Sequence, residues 1–142
     1  MKGSTNSFVF LVSGLMFATG IIYFIAAYFE LDEGISDHGP QIEVMLFSVI
    51  GLTHIPLGLW MIRNNMNSRA PYVISVVISL ALIGLYVAAR FISMPIVGLE
   101  GNTGIIDITS KVLQTGIIIV SILLLPELKK NQKFEIHGMD NK

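Results

Sequence analysis

Apolar positions run through this chain in four long blocks, and polar residues collect in the gaps between them. Crossing the hydrocarbon of a bilayer takes about 20 mostly apolar residues at 1.5 Å each. The stretches 8–29, 42–62, 71–93 and 105–125 meet that requirement. The first and third carry no charge until Arg90, near the end of the third. The second holds one ionisable residue in its interior, His54, and the fourth holds Asp107 and Lys111. A spanning segment must satisfy its own backbone groups, so helices are expected, and short connections make them antiparallel neighbours. The expected fold is an all-α, integral membrane four-helix up-down bundle, a single domain over 1–142 with a polar tail at 126–142.

Composition sharpens this picture. The chain is 53% hydrophobic and 13% charged, with a mean hydropathy of +0.71, whereas a soluble domain carries about 25% charged residues. A net charge of −1 gives no reason to expect nucleic acid as a partner. With no cysteine, disulfides and thiolate metal sites are excluded. Lys2 before the first apolar block resembles a signal peptide, but about 20 apolar residues exceed a 7–15-residue signal core. "FIAAYFELDEG" also offers no small-x-small cleavage site, so that block is expected to be retained.

Basic residues set the orientation. Lys2, then Arg63 and Arg69, then Lys129, Lys130, Lys133 and Lys142 alternate with a first connection that has no Lys or Arg and a third that has only Arg90. Both termini are therefore expected in the cytoplasm, with Trp60 as an interfacial anchor. Pro71 suits the first turn of the third helix, and Pro126 is placed where the fourth is expected to stop.

Asp107, Lys111 and Gln114 stand at i, i+4 and i+7 and share one helix face. Intramembrane charges usually turn inward and pair, so this face is expected to point into the bundle. Antiparallel counting brings Arg90 to the level of Asp107 and Tyr86 to that of Lys111. The same count puts Glu43 at the outer rim and His54 roughly 4–5 Å from the depth of Gln114. The cluster Glu43, His54, Tyr86, Arg90, Asp107, Lys111 and Gln114 is expected to clamp helices two, three and four by ion pairing, or alternatively to line a route for protons or a small solute. His54 precedes Pro56, and Thr53 or His54 is expected to satisfy a carbonyl that the proline frees.

As a haem or copper ligand His54 lacks partners at its depth, and no cofactor is expected. The first connection offers Asp37 and His38 to a cation, in a spacing that fits no EF-hand or zinc template. A solvated acidic loop is the preferred reading. No Walker loop, nucleophile elbow or H-E-x-x-H motif occurs.

His54, Ala89-Arg90, Pro95, Gly98, Glu100, Asp107 and Gln114 together resemble the pattern of a widespread, uncharacterised family of prokaryotic four-helix integral membrane proteins. In that family a His-bearing helix precedes an Arg-x4-Pro-x2-Gly turn and an Asp-bearing last helix. The likeness covers about residues 50 to 115. Phe91 stands where a small hydroxyl residue is usual, and Gln114 where an acid is frequent. The resemblance implies the fold and names no substrate. Function is thus expected to be that of a non-catalytic membrane subunit meeting the bilayer and other membrane subunits, or self-associating. Close helix approach would use Gly14, Gly20, Gly51, Gly58, Gly84 and Gly116. The alternatives are a small oligomeric transporter or channel built on Arg90, Asp107 and Lys111, and a haem- or copper-binding protein around His54.

Overall fold

A computed structural model of the chain describes residues 2–32, 38–64, 66–91 and 104–139, with side chains at 6–32, 42–64, 66–91 and 104–128. Four helices make up nearly all of it: α1 (Lys2–Asp32), α2 (His38–Asn64), α3 (Ala70–Phe91) and α4 (Ile105–Met139). No strand occurs among the described residues. Each helix contains a span long and apolar enough to cross a membrane: Asn6–Asp32, Ile42–Asn64, Ala70–Phe91 and Ile105–Leu128. Their outer faces stay apolar, with Phe10 63%, Met45 69% and Leu52 65% exposed. In water such faces would drive aggregation, whereas lipid accepts them.

α1 packs along α2 over the greatest length, then against α4. α3 rests on α4, and α2 and α3 barely meet. The α1–α2 seam is a backbone approach. A Cβ on Gly20 would lie 3.1 Å from the Gly51 carbonyl, and one on Gly51 would lie 3.0 Å from the Gly20 carbonyl. Gly58 meets Met16 and Ser13 in the same way, and Gly116 meets Leu15. Contacts thus climb α1 while descending α2. Gly14 and Gly84 do not take part: a Cβ on either would meet nothing within 4 Å. Those two glycines face away from every described helix.

Two local features depart from expectation. Pro126 does not stop α4, which continues to Met139. Leu128 is fully buried two residues later, so core packing holds the turn that the missing proline amide weakens. Pro56 likewise lies inside α2. It deprives the Leu52 carbonyl of its amide partner, yet Thr53 donates to Val49 O at 2.7 Å and His54 bonds Ile50 O at 2.8 Å. Neither side chain serves the carbonyl that the proline frees.

Between α2 and α3 the chain turns tightly. Asn67 N donates to Asn64 O (2.9 Å), Asn64 Nδ2 to Ser68 O (2.7 Å) and Ala70 N to Ser68 Oγ (3.2 Å). Met66 holds φ at 68°, a left-handed conformation costly for a residue with a side chain. Burial of that side chain in the core offsets the strain.

The apolar core occupies one half of the molecule. Val9, Val12 and Met16 of α1 meet Leu57 and Met61 of α2, Tyr72 of α3, and Ile117, Leu124 and Leu128 of α4. All lie toward the end of the bundle that carries the α2–α3 turn. Arg90, Asp107, Lys111 and a cavity lie toward the other end.

Candidate functional site

α1 contributes the residue that organises the polar end. Val9, Val12, Ser13, Met16, Thr19, Gly20, Tyr23 and Ala27 are its buried positions, a stripe at helical spacing. Tyr23 is the largest polar member, only 5% exposed. Gln114 Nε2 donates to its hydroxyl at 2.7 Å, and Lys111 Nζ donates to the same oxygen at 3.3 Å. One phenol oxygen therefore ties α1 to two successive turns of α4. With two N–H groups directed at it, its own proton needs an acceptor elsewhere, and Ser110 stands beside it.

Cations gather on a second tyrosine. Lys111 Nζ lies 4.9 Å from the Tyr86 ring centroid, and the Arg90 guanidinium lies 4.9 Å from the same centroid. Each contact uses the negative face of the ring, worth about 0.5–2 kcal/mol depending on desolvation. Lys111 also stands 5.8 Å from the Tyr23 ring.

Asp107 has a local task. It is half-buried in the first turn of α4, and its Oδ2 accepts from Gly104 N at 3.4 Å. An acid at the third helical position reaching back to the residue before the helix is half of a capping box. The helix dipole favours the carboxylate there.

His54 lies one helical turn beyond Ile50 and is fully buried. Its ring centroid is 6.1 Å from that of Tyr23. A carbonyl can only accept, so the 2.8 Å contact with Ile50 O places a proton on Nδ1. Nε2 is then an acceptor in the neutral ring. It is buried without a partner, as are Gln114 Oε1 and Ser79 Oγ. Either orientation of the Gln114 amide leaves one of its ends without a partner. Buried polar atoms of this kind normally hold water or a ligand.

Tyr23, Tyr86, Asp107 and Lys111 also border a cavity of about 70 Å³ whose other walls are mostly apolar. All four helices wall it: Tyr23 from α1, Phe47 and Ile50 from α2, Leu82 and Tyr86 from α3, and Asp107, Ser110 and Lys111 from α4. Several waters fit such a volume. Toward the α2–α3 turn, Met16, Leu57, Met61 and Ile117 close the interior, each at most 7% exposed. Below that level the buried polar groups include the Ser13 hydroxyl, a Ser75–Ser121 contact at 3.3 Å and the Tyr72 hydroxyl.

Of the residues expected to cluster, the structure brings Tyr86, Arg90, Lys111 and Gln114 together, with Asp107 on the cavity wall and His54 against Tyr23. Glu43 is half-buried on α2, one turn before Phe47. The element missing from the expected clamp of helices two, three and four is α1. Tyr23 carries no charge, and only its place on the stripe Ser13–Thr19–Tyr23 marks it. Among the described residues no group of three or more His, Asp or Glu is placed to hold a metal. Asp37, the side chain of His38, Pro95, Gly98 and Glu100 lie outside the described residues. Comparison with protein-family models, with curated proteins and with solved structures finds no match.

Proposed function

We propose that this chain is a non-catalytic, multi-pass membrane component that works beside larger membrane subunits. Its helices form an up-down bundle with both termini on the cytoplasmic side of a prokaryotic cell membrane, and it falls within the four-helix family that its motif resembles. The observation that carries the reading is the division of the interior. A small cavity edged by Tyr23, Tyr86, Asp107, Ser110 and Lys111 among apolar side chains lies in one half, and a close-packed plug of Met16, Leu57, Met61 and Ile117 closes the other. A conducting protein needs polar continuity across the membrane, and the plug opposes it.

Arg63 and Arg69 lie at the plug end, beside the α2–α3 turn. The positive-inside rule puts that end in the cytoplasm and the cavity in the outer leaflet. Charges at that depth then act as a clamp on helix positions and as a recognition surface. Purification from native membranes in mild detergent is expected to bring down larger subunits in fixed stoichiometry, identified by mass spectrometry. Recovery as a monomer or a pure homo-oligomer overturns the proposal.

Small-solute transport is the second reading, favoured by the partnerless buried His54 Nε2 and Gln114 Oε1, whose side chains lie against Tyr23. It requires flux in proteoliposomes that is lost in Asp107→Asn and His54→Ala.

A further inference from the structure

The Tyr23 hydroxyl fixes the direction of the hydrogen bonds around it. Ser110 Oγ donates its proton to Asp107 O at 2.8 Å, so toward the neighbouring phenol the serine oxygen can only accept. Tyr23 gives its proton to that side and receives N–H groups from Lys111 and Gln114. Gln114 is thus a donor at the end that meets Tyr23. Its other end, Oε1, is an acceptor, buried without a partner.

His54 presents the same chemistry. Its Nδ1 proton goes back to Ile50 O, and Nε2, on the far side of the ring from that bond, is an acceptor without a partner. Both side chains lie against Tyr23, the His54 ring with its centroid 6.1 Å from that of the phenol and Gln114 Nε2 2.7 Å from the hydroxyl. Two acceptors cannot satisfy one another, so a donor must come between them.

α3 supplies the third member. The Ser75–Ser121 contact at 3.3 Å sets the register of α3 against α4, and Ser79 continues the Ser75 stripe one turn farther from the α2–α3 connection. At 1.5 Å per residue from that contact, Ser79 lies about 6 Å along and Gln114 about 10.5 Å, roughly 4–5 Å apart in depth. Ser79 Oγ is buried without a partner as well. His54, Ser79 and Gln114 all have no exposed surface, and hydrocarbon offers no solvent to replace a hydrogen bond left unmade.

We propose that His54 Nε2, Gln114 Oε1 and Ser79 Oγ bind one water at the centre of the bundle, which donates to the first two and accepts from the serine. Interior waters typically make about three hydrogen bonds to groups otherwise unsatisfied, and bonds of about 2.8 Å on either side of one oxygen cover the spacing counted above. The water extends the chain Asp107–Ser110–Tyr23–Gln114 to His54 and so joins α4, α1, α3 and α2 in one network. It depends neither on partner subunits nor on flux, and it stands or falls apart from both.

The test is solid-state NMR of the full-length chain in lipid bilayers, isotope-labelled at the histidine nitrogens. His54 is one of three histidines, and the difference spectrum against His54→Phe assigns it. The expected ring is neutral and protonated at Nδ1, with Nε2 shifted from the free-acceptor position toward the hydrogen-bonded one and receiving polarisation from water protons. Ser79→Ala and Gln114→Leu should each move Nε2 back toward the free position, with loss of the transfer from water. Thr53→Val should change neither signal, because that hydroxyl bonds Val49 O on the exposed side of the same helix. A wild-type Nε2 at the free-acceptor position, a proton on Nε2, or a resonance that ignores both Ser79→Ala and Gln114→Leu overturns the proposal. A shift on adding ammonium chloride at constant pH assigns the site to ammonium and overturns it equally.

Discussion

Gln114 on α4 donates its side-chain amide to the Tyr23 hydroxyl on α1 at 2.7 Å, in a site where Gln114 is fully buried. The bond crosses the bundle between the cavity, which Tyr23 lines, and the apolar plug. It also makes α1 the keystone of a cluster otherwise drawn from α3 and α4.

Tyr23→Phe removes the acceptor and strands a buried amide, so a loss of about 1–3 kcal/mol is expected. Gln114→Leu should cost less, because the Tyr23 hydroxyl keeps the Lys111 contact and borders the cavity. The double variant should lose less than the sum of the two single losses, since each single change already breaks the same bond. Reversible unfolding in mixed detergent–denaturant reads all three. Additive losses would remove the bond from the account.

The glycine seam separates two kinds of small residue. Gly51→Ala places a methyl 3.0 Å from the Gly20 backbone carbonyl, which cannot move without shifting α1, and should destabilise by about 1–3 kcal/mol. Gly84→Ala meets open space and should be neutral or stabilising by up to about 1 kcal/mol through helix propensity. Matching melting temperatures for the two variants would contradict the close approach of α1 and α2.

Asp107 distinguishes a helix cap from an ion-pair clamp. As a cap on the Gly104 amide, Asp107→Ala should cost about 1 kcal/mol. Asp107→Asn, which keeps an acceptor oxygen, should lose only the dipole contribution of about 0.3–1 kcal/mol. Amide exchange should quicken in the first turn of α4 alone. A loss of about 3–5 kcal/mol in both variants would instead mark a broken buried charge pair.

Much of this architecture is legible in the chain because the bilayer imposes a length. Four apolar blocks give four helices, and the shared face of Asp107, Lys111 and Gln114 follows from helical spacing alone. Antiparallel counting also brought Tyr86 and Arg90 to the right level. Facing was harder to read. A helix apolar on every side hides its packed stripe, so Tyr23 does not stand out in the sequence, and Gly14 and Gly84 read as packing glycines although a Cβ on either would meet nothing within 4 Å. Pro126 was misleading for a different reason: tertiary burial of Leu128 overrides a local helix-stop signal. Glu100 and the segment around Pro95 lie outside the described residues, so that part of the motif adds nothing to the site.

The division of the interior is tested most directly by cysteine accessibility, which the absence of any native cysteine makes clean. Single variants Ala26→Cys and Ser110→Cys place thiols on the cavity wall, while Ser13→Cys and Ser121→Cys place them in the plug half, at 1% and 0% exposure. A membrane-impermeant methanethiosulfonate reagent is applied outside intact cells, and labelling after unfolding in strong detergent confirms that every thiol is present. Modification of the cavity pair with protection of the plug pair is the predicted result. Modification of Ser13→Cys or Ser121→Cys at a comparable rate would mean that water crosses the plug, and the chain would then be read as a conduit.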